Sequence, residues 1–174
     1  LNGIIGFTDL MMKTPLDDTQ QQYLKIINQS GNTLLNIVDE ILDFSRIESK
    51  RITLANEKVD LQNLASDACA MVLYGVEKKK LELLLDFQEN LPRYIWTDEV
   101  RLKQVLVNLL SNAVKFTEEG EVKLTISLIK ELPDNEVVLN FKVCDTGIGI
   151  QPHKLKQIFK AFTQEDGSIT KKYG

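Results

Sequence analysis

With 174 residues, 43% of them hydrophobic, the chain holds enough apolar material for one compact domain and a smaller second one. A net charge of −4 and an isoelectric point near 5.1 argue against a nucleic-acid surface, because neutralising phosphates needs clustered lysine and arginine. Cys69 and Cys144 stand far apart without a Cys-x-x-Cys or Cys/His cluster, which argues against a disulfide framework or a zinc site and points to a reducing, cytoplasmic setting; no apolar run reaches membrane-spanning length and no signal peptide is visible.

The chain divides between Lys50 and Glu57, giving a helical domain over 1–52 and a second domain over 53–174. Ile4, Ile5, Phe7, Leu10 and Met11 form a short amphipathic stretch, ended at Thr14-Pro15 because the residue before proline disfavours helical backbone. Asp17 or Asp18 caps the next helix, which places Tyr23, Ile27, Leu34, Ile37, Val38, Ile41, Leu42 and Phe44 along a seam of near-heptad spacing. Such a stripe needs other helices. One hairpin offers too few, so residues 1–50 predict a homodimeric four-helix bundle, with packing on the chain's own second domain as the alternative. Gly31, in mid-helix, reads as a weak point costing about 1 kcal/mol relative to alanine.

Beyond the boundary the elements alternate. A short strand near 58–61 precedes a helix over 62–74 with Leu64, Ala65, Ala68 and Met71 inward, and the basic run Glu77–Lys80 reads as a short solvated turn. Residues 81–87 read as a strand and 94–96 as another extended piece. One amphipathic helix then spans 97–116, with Thr97 as N-cap and Leu102, Val105, Leu106, Leu109, Leu110 and Ala113 as its apolar face. Val122, Leu124, Ile126 and Leu128 alternate as in a half-buried strand, and the turn Pro133-Asp134-Asn135 leads to a strand ending at Asp145. Helices on one face of a mixed sheet make an α/β sandwich, so the fold class is α+β.

Two features carry chemistry. Asn108 and Asn112 stand four residues apart, with Lys115 three further on, so all three project from one side of the last turns. Amide oxygens beside a lysine suit a magnesium ion already carrying phosphate oxygens, although a solvated polar face is the plainer alternative. The second feature is Asp145-Thr-Gly147-Ile-Gly149-Ile150 at the strand end. Its glycines permit positive φ and close approach of a flat ligand, and the carboxylate suits an amine such as that of adenine; a strand-capping turn needs no ligand.

The run RLKQVLVNLLSNAVKFT over 101–117 resembles the N box of sensor histidine kinases, DTGIGI over 145–150 resembles their G1 box, and IFKAF over 158–162 is similar to their F box. Upstream, LNGIIGF over 1–7 resembles the segment after the family's phosphoacceptor motif, and ILDFSRIE over 41–48 the end of the second dimerisation helix. The order and separations match, and the resemblance covers nearly the whole chain. It implies an ATP-binding domain of the gyrase, chaperone and histidine-kinase type, truncated before its second glycine-rich box. Asp145 would bind the adenine amine, with Gly147 and Gly149 opening the turn and Ile150 lining the base pocket. Asn112 would ligate Mg2+, Asn108 would support metal and phosphates, Lys115 would contact phosphate, and Phe116 would lie against adenine or ribose. Phe159 and Phe162 would anchor a lid beginning near Thr163, core packing being the alternative for both.

The implied activity is that of an ATP-dependent protein histidine kinase, passing the γ-phosphoryl group to a histidine and on to a response regulator receiver domain. The related hydrolases carry a water-activating glutamate where Asn108 stands, and an amide cannot serve as that base. An ATP-hydrolysing switch and a non-catalytic dimerisation and docking module are the alternatives. The phosphoacceptor histidine is expected just before Leu1, so this stretch is expected to lack autokinase activity in cis. His153, the only histidine, is expected at the surface.

Overall fold

The computed structural model describes residues 1–49, 53–152 and Leu155. It divides into two compact units, Leu1–Thr53 and Leu54–Gly174.

The first unit is an antiparallel helical hairpin of α1 (Asn2–Met11) and α2 (Asp18–Glu48). Asp17 begins α2 with a reciprocal capping box: its carboxylate accepts from Gln20 N at 2.8 Å while Gln20 Oε1 accepts from Asp17 N at 3.1 Å. The helices are tied by Asn28 Nδ2 donating to Asp9 Oδ1 at 2.7 Å and by the approach of Gly31 to Ile5. A Cβ on Gly31 would fall 2.9 Å from Ile5 Cγ1, so this glycine is a packing residue and not merely a weak point in the helix. Among the described side chains of α2, Leu24 and Gly31 are buried and Asn28, Leu35, Asp43 and Phe44 are half-buried. Of the seam expected from the sequence only Phe44 is half-buried: Tyr23 is 61% exposed, Ile41 48%, and Ile27, Leu34, Ile37, Val38 and Leu42 are exposed as well.

The second unit holds two sheets where one was expected. β1 (Glu57–Asp60) pairs antiparallel with β3 (Tyr94–Thr97), and β2 (Glu82–Phe87), β4 (Glu121–Glu131) and β5 (Val137–Asp145) form a mixed sheet in the order β2-β4-β5, parallel then antiparallel. Val122, Leu124 and Ile126 of β4 are fully buried on one face. There they meet Leu61, Leu64, Ala65 and Ala68 of α3 (Leu61–Ala70), Val76 of α4 (Leu73–Lys79), and Leu106, Leu110, Ala113 and Val114 of α5 (Glu99–Phe116). The opposite face is polar, with Lys123 Nζ 2.8 Å from Asp86 Oδ2. A period of two on β4 and a period of 3.6 on the helices thus converge on one apolar layer.

Four local details differ from the sequence expectation, the first being that Met71, read as inward, is 66% exposed. The helix read over 62–74 breaks at Met71–Val72, where Val72 N turns to Cys69 O, and resumes as α4 through the basic run expected to be a solvated turn. Lysines in that last turn complement the negative end of the helix dipole. The N-cap of α5 is Asp98, not Thr97, because Thr97 completes the pairing of β3 with Glu57. The apolar face of α5 includes Val114 and excludes Val105 and Leu109, which are 55% and 43% exposed.

Candidate functional site

α5 carries one side of the site and is fixed at both ends. At its start Asp98 Oδ1 accepts from Arg101 N at 2.9 Å and Oδ2 from Ala55 N at 3.0 Å. These two backbone donors, Arg101 first, hold the Asp98 carboxyl below its ordinary range. Lys103 bridges Asp67 of α3 at 2.9 Å and Glu99 of its own helix at 3.0 Å, and the Asp67 hydrogen bond is the leading reason its ammonium is held above the usual lysine range. With Leu106, Leu110, Ala113 and Val114 turned into the core, Asn108, Asn112 and Lys115 are exposed. Phe116 is half-buried, with Lys115 Nζ 5.6 Å from its ring centre.

The other side is the bend after β5. Asp145 is exposed, and its Oδ1 accepts from Gly147 N at 2.9 Å, a local Asx turn that fixes the carboxylate at the strand end. Thr146 pins the bend from behind: its Oγ1 accepts from Glu121 N at 3.0 Å and donates toward Glu119 O at 3.1 Å. Gly120, at φ +103, leaves room for that hydroxyl, since a Cβ there would overlap Thr146 Oγ1.

The bend meets the end of α5. Ile148 N donates to Phe116 O at 3.4 Å, and a Cβ on Gly147 would collide with that carbonyl oxygen and lie 2.8 Å from Asp145 Oδ1. The two glycines therefore serve different needs. Gly147 is small because the backbone of Phe116 lies against it, whereas Gly149 takes the left-handed conformation at φ +67 and faces open space. Of the sequence-derived candidates, Phe116, Asp145 and Gly147 are brought together at this junction. Asn108, Asn112 and Lys115 share the exposed face of the helix that ends there, Gly149 and Ile150 follow on the bend, and Ile150 is exposed. Phe159, Phe162, His153 and the lid lie outside the described residues.

Among the described residues no group of three or more His, Cys, Asp or Glu is placed to hold a metal ion. The neutral amides of Asn108 and Asn112 on an exposed face fit magnesium that arrives with phosphate oxygens and keeps its waters, and do not fit a protein cage. Sequence reasoning missed Lys79, Thr146 and Gly120. Lys79 reaches the end of α5 from α4, and only the dipole-complementing position of a lysine at a helix C-terminus hints at such a role.

Comparison with known proteins settles the family. Residues 97–174 match the family described as histidine kinase-, DNA gyrase B- and HSP90-like ATPase, and residues 1–50 match the His Kinase A (phospho-acceptor) domain. The chain belongs to the sensor histidine kinases. It is 40% identical over 174 residues to hybrid signal transduction histidine kinase L of Dictyostelium discoideum, covering 100% of this chain and 10% of that protein. It is 36% identical over 174 residues to the histidine-protein kinase BarA of Escherichia coli (strain K12), covering 100% of this chain and 19% of that protein. The chain thus spans less than a fifth of the length of these relatives. Among solved structures, full-length ShkA in complex with AMPPNP is similar at a TM-score of 0.79 and 35% identity, over 94% of this chain and 34% of that one. The kinase ThkA in complex with the response regulator TrrA is similar at 0.63 and 27% identity, over 94% and 46%.

Proposed function

We propose that the second unit binds Mg-ATP at the junction of α5 and the Asp145–Ile150 bend and presents the γ-phosphoryl group to a histidine. The observation that carries this is the contact of Gly147 and Ile148 with the Phe116 carbonyl, which sets an acidic, glycine-bearing turn against the end of the helix bearing Asn108, Asn112 and Lys115. Asp145 accepts the adenine amine, with Gly149 leaving the base room on its open side, and Phe116 packs against the base or ribose. Asn112 and Asn108 hold the magnesium, and Lys115 contacts a phosphate oxygen. Bound magnesium neutralises charge on the phosphate oxygens, which is most of what phosphoryl transfer asks of a protein beyond alignment. A histidine nitrogen forms the N–P bond as the bond from the γ-phosphorus to the β–γ bridging oxygen breaks, and ADP leaves. The phosphoryl group then passes to an aspartate of a receiver domain. Asn108 has no basic site with which to activate water, which favours transfer over hydrolysis.

The helical hairpin, in this reading, dimerises through residues 1–50. Its support is the exposed stripe of Tyr23, Ile27, Leu34, Ile37, Val38, Ile41 and Leu42, which the hairpin alone leaves uncovered. No described helix is long and apolar enough to cross a membrane, and we place both units in the cytoplasm, making no direct membrane contact. Calorimetric titration of magnesium and AMPPNP into the full-length protein tests the reading. Saturable binding that is lost in Asp145→Asn supports it, whereas rapid phosphate release from ATP without an acceptor favours the hydrolytic alternative.

A further inference from the structure

Lys79 lies in the last turn of α4, outside every nucleotide-facing residue named above. Its Nζ donates to three carbonyl oxygens around the end of α5: Val114 at 2.8 Å, Lys115 at 2.7 Å and Thr117 at 2.9 Å. An ammonium has three N–H donors, one for each of these carbonyls. The last carbonyls of a helix lack intrahelical partners and carry its negative partial charge. At the end of α5 each has found a donor. Ala113 O takes Thr117 N at 3.0 Å and Thr117 Oγ1 at 2.7 Å; Val114 O and Lys115 O take Lys79; Phe116 O receives Ile148 N from the bend. The approach of α4 is itself constrained, because a Cβ on Gly75 would lie 3.0 Å from Val114 Cγ1 and Lys80 closes α4 in the left-handed conformation at φ 57.

We propose that Lys79 is a positioning residue for the nucleotide site: by gathering the Val114, Lys115 and Thr117 carbonyls on both sides of Phe116, it sets where the Phe116 carbonyl meets the Asp145–Ile150 bend. The role rests on the nucleotide reading for its purpose, and on the hydrogen-bond geometry alone for its mechanism. Lysine suits the task because its donors converge on one nitrogen, whereas the planar fork of arginine spreads them.

Lys79→Met keeps the length of the side chain and removes its charge and donors. In the isotopically labelled full-length protein without nucleotide, the amide resonances of Gly147 and Ile148 are expected to shift or broaden while those of β1 and β3 stay in place. Affinity for magnesium-AMPPNP, measured well below the melting temperature, is expected to fall about tenfold, the effect of losing hydrogen bonds to a charged group. Unmoved Gly147 and Ile148 resonances overturn the proposal even if the melting temperature drops, because that outcome describes a purely stabilising lysine. Should Lys79→Met not fold, Lys79→Arg supplies the same comparison: displaced bend resonances support the role and wild-type resonances overturn it. A wild-type protein that binds no nucleotide sinks the nucleotide reading, and the resonances still decide whether Lys79 sets the bend.

Discussion

Gly147→Ala is the substitution with the most to say about how the site is built. The added Cβ would overlap Phe116 O, lie 2.9 Å from Phe116 C and sit 2.8 Å from Asp145 Oδ1. Two of these neighbours are main-chain atoms at the end of α5, where the Lys79 hydrogen bonds limit retreat. The bend must therefore move away, losing the bond from Ile148 N to Phe116 O and disturbing the turn in which Asp145 Oδ1 accepts from Gly147 N. At about 1 kcal/mol for each such hydrogen bond, the loss is about 2 kcal/mol, or roughly thirtyfold in nucleotide affinity if the bend is needed for binding. Gly149→Ala is the control for the stability of the bend: without nucleotide its Cβ meets no atom within 4 Å and adds only the strain of φ +67, about 1 kcal/mol for a residue with a Cβ, while its effect on affinity also reports the room left for the base. Calorimetry with magnesium-AMPPNP on both variants, alongside thermal unfolding, makes the comparison. Equal affinities for Gly147→Ala and wild type would show that the contact with Phe116 is irrelevant to the ligand.

Other expectations follow from the same geometry. Gly120→Ala combines a φ of +103 with a collision against Thr146 Oγ1, so thermal unfolding should show a loss of about 2 kcal/mol or more. Asp98 has a depressed folded-state pKa, so its contribution is fully present above the unfolded carboxyl value of 3.8 and is lost as pH falls through the lower folded value; Asp98→Asn should flatten the acid limb of stability measured by denaturant titration. Lys103 has a raised folded-state pKa, so its contribution is full below the unfolded value of 10.5 and fades as pH rises past the folded one, and Lys103→Met should remove that alkaline limb. Ile41→Glu places a charge in the exposed stripe of α2, and sedimentation velocity should show a dimer shifted towards monomer.

The sequence made the inward face of the central strand more legible than the faces and ends of the helices. Period-two alternation marked Val122, Leu124, Ile126 and Leu128 as the inward side of β4, and the first three are fully buried while Leu128, beside the register shift, is half-buried. The cap of α2 could be narrowed to Asp17 or Asp18 because capping is local chemistry, and Asp17 holds the position. The seam of α2 could be read from spacing, but spacing does not say which apolar residues serve the hairpin; Gly31 does, through its contact with Ile5. The break at Met71–Val72 left no mark, since Val72 and Val76 continue the apolar spacing of α3 across it. Within the site, Asn108, Asn112 and Asp145 stood out by residue type. The reason for Gly147 did not, because it depends on a carbonyl 31 positions earlier in the chain at Phe116. Lys79 was hidden for the same reason, its partners lying 35, 36 and 38 positions away.

Mapping amide resonance changes as magnesium and AMPPNP are added to the full-length protein tests the central claim most directly. The structure predicts changes concentrated at Asn108, Asn112, Lys115, Phe116 and the Asp145–Ile150 bend, abolished by Asp145→Asn. Changes confined to the β1–β3 ribbon, or none at saturating ligand, would contradict it.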